Sequence, residues 1–308
     1  MFNTNFKSVI EIITTFSDEQ KCIQYLEQLR WENGVVSPFD VTSKVYKCKG
    51  GRYRCKNTGK YFNVKTDTMF DNTKIELQKW FLAIYLVTSH KKGISSIQLA
   101  KDIDVTQKTG WFMLQRIRAC FQIENYTELE GIIEADETFY GGKNKNRHAD
   151  KKVKGNHGRS FKDKVPIVGL VQRNGKITAV VVKNTQKDEL QTVVRKYVKK
   201  GSILIADDWN GYNGLNDHYD HRTVKDTANH YIHSYDGNTH TNNIEGAWKL
   251  FKNSARDMYN NVSKKHLQLY VDEFVYRYNM RNNIESDKFN WLLFNSGIRT
   301  KYVTLINE

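Results

Sequence analysis

The sequence predicts an α/β fold on three observations. Hydrophobic spacing stays near 3.6 residues up to about Phe121 and switches to two after Gly131. In that second region two apolar runs flank Arg173-Asn174-Gly175, and Asn-Gly between such runs is a strong hairpin signal. An amphipathic helix pattern and the apolar run Ile203-Leu204-Ile205-Ala206 follow the hairpin.

Residues 1–34 read as an N-terminal helical segment, with Cys22, Ile23, Leu26 and Leu29 on one side, Ser17 as N-cap and Gly34 as the stop. Residues 35–72 read as short strands and turns, with Gly50-Gly51 as a hairpin. Residues 73–125 return to helix. Leu77, Trp80, Phe81, Ile84, Tyr85 and Thr88 share one face of a helix that stops at Lys91-Lys92-Gly93. Ser95 caps a short helix carrying Ile97, Leu99 and Ala100, Asp102-Ile103-Asp104 breaks it, and Thr106 caps another with Gly110, Trp111, Leu114 and Ile117 on its apolar side. A short helix, a tight turn and a helix opening with polar Gln107, Lys108 and Thr109 have the pattern of a helix-turn-helix. Patterning fits an ordinary three-helix packing unit equally well, and the basicity of the chain favours DNA.

Residues 130–285 form the α/β region. Strands are expected at 132–140, 165–172, 176–183 and 203–206. The helix between the last two carries Leu190, Val193, Val194, Tyr197 and Val198, and Gly201 ends it. Two further helices are expected at 242–257 and 266–282, and residues 286–308 read as a C-terminal tail.

Composition excludes several classes. Hydrophobic residues at 39% and only two prolines in 308 residues rule out wholesale disorder. The longest apolar run, residues 80–87, is far short of the roughly 20 residues a membrane span needs. No signal-peptide core opens the chain, and Cys22, Cys48, Cys55 and Cys120 are too sparse for a disulfide framework, so the expectation is a soluble protein of a reducing cytoplasm, with no membrane partner.

The formal charge is +14, and it is concentrated. Residues 41–66 hold eight Lys/Arg and no acid, with Tyr46, Tyr53, Tyr61 and Phe62 interleaved. Residues 141–164 hold nine basic residues against Asp150 and Asp163, leaving the rest of the chain near neutral. Dense positive charge beside neutral globular sequence is the footprint of a polyanion binder. Lys151, Lys152 and Lys154 are accordingly expected to grip phosphates, and Gln107, Lys108 and Thr109 to contact base edges.

Acids on strands need a reason, because a carboxylate suits a strand poorly and is costly to bury unpaired. Asp136 lies inside an apolar strand, Asp207 and Asp208 follow another, and Glu245 opens a helix after His240-Thr241-Asn242-Asn243. Carboxylates from three separate elements meeting at one end of a sheet would make an all-oxygen site for two Mg²⁺ or Mn²⁺ ions, suited to phosphoryl displacement.

The string D-E-T-F-Y-G-G-K-N-K-N-R-H at 136–148 resembles the first-aspartate motif of DDE insertion-sequence transposases of the Merlin/ISXO-like group. A-D-D-W-N-G-Y at 206–212 resembles their second motif, and H-T-N-N-I-E-G-A-W-K-L-F-K at 240–252 their third. The family's W-F-L-A-x-Y segment, then K-K-G-I-S and a helix ending in R-I-R, stands at 80–118. Matching order extends over about residues 35–255. The resemblance implies a ribonuclease-H-like catalytic fold, Asp136, Asp207 and Glu245 as metal ligands, Asp208 in a variable position, and Asn242, Lys252 and His240 as flanking active-site residues. It also implies a zinc ribbon at 35–72, which here is degenerate. The cysteine pairs read Ser37-Pro38-Phe39-Asp40 and Cys55-Lys56-Asn57-Thr58, so zinc is not expected, and a β unit held by Tyr46, Tyr53, Tyr61 and Phe62 is expected instead.

The function implied is a transposase that binds terminal inverted repeats, cleaves a phosphodiester to free a 3′-OH and joins it to target double-stranded DNA, working as at least a homodimer. A ribonuclease-H-like nuclease or resolvase without strand transfer, and a non-catalytic DNA-binding regulator, are the alternatives.

Overall fold

A computed structural model describes residues 5–126, 128–142, 148–152, 164–224, 238–259 and 262–307. They fall into two compact units, residues 5–123 with 282–307, and residues 124–281. Among the described residues no helix is long and apolar enough to cross a membrane.

The first unit opens with two helices rather than one, α1 (Val9–Thr15) and α2 (Glu19–Arg30). The N-cap of α2 is Asp18, whose carboxylate accepts from Lys21 N at 2.8 Å, not Ser17. A carboxylate at that position also meets the positive end of the helix, which a hydroxyl does not. A three-stranded antiparallel sheet follows, β1 (Val45–Cys48), β2 (Arg52–Cys55) and β3 (Tyr61–Phe62). Lys49, Gly50 and Gly51 connect β1 to β2, and both glycines take positive φ, 71° and 66°, a conformation that favours glycine. The four aromatics expected to hold this unit divide by strand alternation: Tyr53 and Phe62 are buried and stack on each other beside Trp31, while Tyr46 and Tyr61 point to solvent. Cys55 faces inward with them. Burial pushes its thiol up, but hydrogen bonds from Ser37, Ser43 and Thr58 outweigh that and bring it down to about 6.

Helices α3 (Leu77–Ser89), α4 (Ser96–Asp102) and α5 (Gln107–Phe121) follow the expected pattern, with Ser95 and Thr106 capping the last two. Of the apolar residues of α4, Leu99 and Ala100 are buried and Ile97 is exposed. Residues 286–308 are helical in two stretches, α9 (Glu285–Phe294) and α10 (Tyr302–Asn307). They join this unit because Phe289 packs edge-on against Phe6 and Phe81, and Arg116 donates to the carbonyl of Thr300 at 3.0 Å.

The second unit is a five-stranded mixed sheet in the order β6-β5-β4-β7-β8, consistent with a ribonuclease-H-like catalytic domain. Its strands are β4 (Ile132–Tyr140), β5 (Val165–Gln172), β6 (Ile177–Val181), β7 (Ile203–Asp207) and β8 (Asp220–Val224). β5 runs antiparallel to both β4 and β6, whereas β7 is parallel to β4 and β8. The helix α6 (Lys187–Tyr197) covers one face through Leu190, Val193 and Val194. The helices α7 (Asn242–Tyr259) and α8 (Leu267–Asn279) cover the other through Ile244, Trp248, Phe251 and Val275. The free edge of β6 is closed by side-chain amides: Asn279 bonds both backbone groups of Ile177, Asn125 both of Ala179, and Gln268 accepts from Val181 N. Three amides thus stand where a sixth strand would pair.

Candidate active site

Strand alternation decides which acids meet. On β4, Ile133 and Ala135 point to the α6 face, so Glu134, Asp136 and Thr138 point toward α7. Asp136 pairs in register with Gly169 of β5, and a Cβ at Gly169 would fall 2.4 Å from the Trp248 ring. Only a glycine lets α7 lie this close to the sheet beside Asp136. Asp207 ends β7, the parallel neighbour of β4. Carboxylate oxygens of Asp136, Glu137 and Asp207 all lie within 4.8 Å of one another. Asp208 is exposed and outside that group.

Glu137, a neighbour of Asp136 with no role read from the sequence, accepts a hydrogen bond from the Tyr212 hydroxyl. Burial, then the charges of Glu137, Asp136 and Asp207, push that phenol well above its ordinary value, so it remains a donor.

Glu245 meets Asp136 across a depression of about 440 Å³ that Thr138, Trp248 and Lys252 also line. Its carboxylate accepts from Thr241 Oγ1 at 3.1 Å. Lys249 and Arg256 line the same depression. Glu245, Lys249, Lys252 and Arg256 stand at i, i+4, i+7 and i+11, so one stripe of α7 carries an acid and then three cations. Lys249 and Arg256 occupy no motif position, and only their helical spacing from Glu245 and Lys252 marks them. Partial burial holds the Lys252 ammonium below the usual lysine value, opposed by Asp136 and reinforced by Lys164.

The largest omission from the sequence reading is Glu134. Wholly buried, it accepts from Asn243 N and Ile244 N at 2.8 and 3.1 Å, from Asn243 Nδ2 at 2.7 Å and from Arg173 Nε at 2.7 Å. A carboxylate on the first turn of α7 satisfies donors that no helix can satisfy internally and favours the positive end of the dipole. Glu134 therefore ties the start of α7 to the strand of Asp136. His240 joins this cluster, with Nδ1 3.3 Å from Glu134 and its carbonyl accepting from Arg173. Asn242 is exposed at the helix start.

A divalent cation is a fair occupant of the depression. The donors are carboxylates, and one buried hydroxyl oxygen on its wall, Thr138 Oγ1, has no hydrogen-bond partner among the described residues.

Gln107 and Lys108 are exposed at the start of α5; Gln107 donates to Ser96 Oγ at 2.9 Å and Lys108 Nζ lies over the Tyr302 ring. Thr109 is part of the α5 cap, its N–H donating to Thr106. Lys152 is exposed, whereas the Lys151 side chain and Lys154 lie outside the described residues.

The profile of the ISXO2-like transposase domain matches residues 128–279. An uncharacterized transposase-like protein of Haemophilus influenzae is 30% identical over 105 residues, 34% of this chain and 81% of that protein. The chain belongs to the ISXO2-like transposase family. An uncharacterized protein in the transposable element ISH50 of Halobacterium salinarum is 27% identical over 277 residues, covering 86% of this chain and 92% of that protein. For this transposase, membership implies a nucleic-acid-modifying activity with DNA as partner and use of a divalent metal.

Proposed function

We propose that this chain binds the terminal inverted repeats of its own insertion sequence, cleaves one strand at each end and joins the freed 3′-OH to target DNA. The observation that carries this reading is the meeting of Asp136 and Asp207 from adjacent parallel strands, with Glu245 across a depression from Asp136 on a helix whose next turns carry three cations. Asp136, Asp207 and Glu245 would hold Mg²⁺ or Mn²⁺, two ions in the active complex. Bound there, the cations supply charge stabilisation for the attacking and leaving oxygens.

The chain's own residues do the rest. Lys249, Lys252 and Arg256 take phosphate oxygens on either side of the scissile bond, fixing it against the carboxylates. The Tyr212 hydroxyl holds Glu137 in place, and Glu134 holds α7, so the carboxylate geometry is set before DNA arrives. His240 and Asn242 frame the start of the same helix. Gln107, Lys108 and Thr109 contact base edges of the repeat, and Lys151, Lys152 and Lys154 contact phosphates. Two ends must be paired, so the working complex is at least a homodimer.

The test is incubation of the purified chain with a DNA fragment bearing both ends of its element, in Mg²⁺. Nicked ends together with joined products support the reading. Nicks without joined products would leave a nuclease, and end binding without nicks would leave a regulator.

A further inference from the structure

The three-stranded sheet has one face packed and one face bare, and the bare face is not ordinary surface. In register across the strands, Tyr46 of β1 pairs with Arg54 of β2, and Arg54 pairs with Tyr61 of β3. Tyr46 is 43% exposed and Tyr61 55%, against 5% for Tyr53 on the packed side. Arg52 and Arg54 both reach over the Tyr61 ring, at 5.7 and 5.9 Å, and Lys44 over Tyr46 at 5.7 Å. Lys44 and Lys56 stand opposite each other in the next row of that face, the Lys56 N–H donating to the Lys44 carbonyl at 2.9 Å. No acid occurs anywhere in residues 41–66.

We propose that this face binds an unpaired DNA strand, with bases stacked on Tyr46 and Tyr61 and the phosphates held by Arg52, Arg54, Lys44 and Lys56. It rests on the reading of the chain as a DNA-processing protein and adds the form of DNA that this surface takes. Charge selects a polyanion, because four cations surround the two rings and none of them pairs with an acid among the described residues. The rings select the strand form. A duplex hides its base faces, whereas an unpaired strand offers a π-face at every nucleotide. Neighbouring strands lie about 4.8 Å apart, so the two rings stand roughly 10 Å from each other with Arg54 between them. That leaves room for a base on each ring and a phosphate on the intervening guanidinium. Cations already lying over the rings widen the flat surface rather than block it, since guanidinium planes stack on bases as well.

The experiment uses the full chain and fluorescence anisotropy with a labelled mixed-sequence oligonucleotide of about 16 nucleotides, single-stranded or annealed to its complement. Tyr46→Ala with Tyr61→Ala should weaken single-strand binding by about tenfold or more and duplex binding by less than about twofold. Tyr46→Phe with Tyr61→Phe should restore single-strand binding, because stacking needs the ring and not the hydroxyl. Arg52→Ala with Arg54→Ala should lower the single-strand salt slope by about 1.4, at about 0.7 per phosphate contact. Both tyrosines are exposed, so circular dichroism should report an unchanged fold. Unaltered single-strand affinity in the double alanine variant overturns the proposal, as does an equal loss on the duplex or a wild-type chain that binds no single strand. Because binding is read without catalysis, a chain showing this pattern but never nicking its element's ends would keep this surface and lose the transposase mechanism. Nicking and joining with no tyrosine dependence would do the reverse.

Discussion

In the three-stranded sheet Tyr46, Arg54 and Tyr61 stand exposed in a row, whereas in the five-stranded sheet every residue of β5 from Pro166 to Val171 is buried. The first sheet is covered on one side, so alternate residues are free of packing and can be spent on charge and aromatic rings. The second is covered by helices on both sides, and the carboxylates of its central strands each find an outlet: Asp136, midway along β4, lines a depression, Asp207 ends β7, and Glu134 is met by a helix N-terminus. A chemical site needs fixed geometry and sits on the doubly covered sheet; a surface that grips polymer needs reach and sits on the singly covered one.

The sharpest break of that comparison lies at these carboxylates. Asp136→Asn and Asp207→Asn should each lower end cleavage by a factor on the order of a thousand, as loss of a central catalytic charge does, with DNA binding retained. Glu245→Gln should behave alike and Asp208→Asn should remain near wild type, both read by nicking of an end-bearing fragment. A wild-type rate for Asp207→Asn with a dead Asp208→Asn would transfer the site to the exposed aspartate.

Next in size is the buried exception. Glu134→Ala leaves Arg173 and two helix N–H groups without their acceptor, and should destabilise the chain by about 3–5 kcal/mol in denaturant titration. Glu134→Gln, which keeps acceptor oxygen, should lose less stability. If alanine costs no more than glutamine, the helix start is held by something else.

Asp272 concerns the edge of the same sheet. Its carboxylate accepts from Asn125 and Gln268, the amides that close β6, and burial pushes it up to about 6 from an ordinary 3.8. A raised carboxylate favours the folded state below the unfolded value, and this contribution is lost as pH climbs from about 3.8 through 6. Asp272→Asn should therefore stabilise the chain at pH 8 by up to about 3 kcal/mol and have little effect near pH 3, by thermal melts at both values. A variant less stable than wild type at pH 8 would show that the hydrogen bonds outweigh the burial.

The smallest expected effect is on the exposed helix stripe. Lys249→Ala should weaken binding to all duplex sequences alike and lower the salt slope by about 0.9, with no change in melting temperature. A sequence-dependent loss would mean that it contacts bases.

Much of the site was legible because motif and period agreed. Apolar patterning places Asp136 inside one strand and Asp207 just after another, and spacing places the helix starting near Asn242. Edge elements were less readable. β8, Asp-His-Arg-Thr-Val, carries no apolar alternation, and it is a strand only because β7 offers it hydrogen bonds. α1 escaped notice because it buries little beyond Ile12. Glu134 looked like any strand acid, since its partners lie about 40 and 110 residues away in the chain.

By itself the sequence determined the types of the strongly patterned elements, the hairpins at Gly50-Gly51 and Asn174-Gly175, and the identity of the charged groups, since these follow from local propensity and period. Only the tertiary structure decided which groups meet. Register across β4, β5 and β7 put Glu137 beside Asp136 and Asp207, and the missing side chain at Gly169 let Trp248 bring α7 against the sheet. Strand pairing also split four similar aromatics into two that fill a core and two that face solvent. Contact between distant segments depends on sheet register and helix approach, and neither is written in any one stretch of chain.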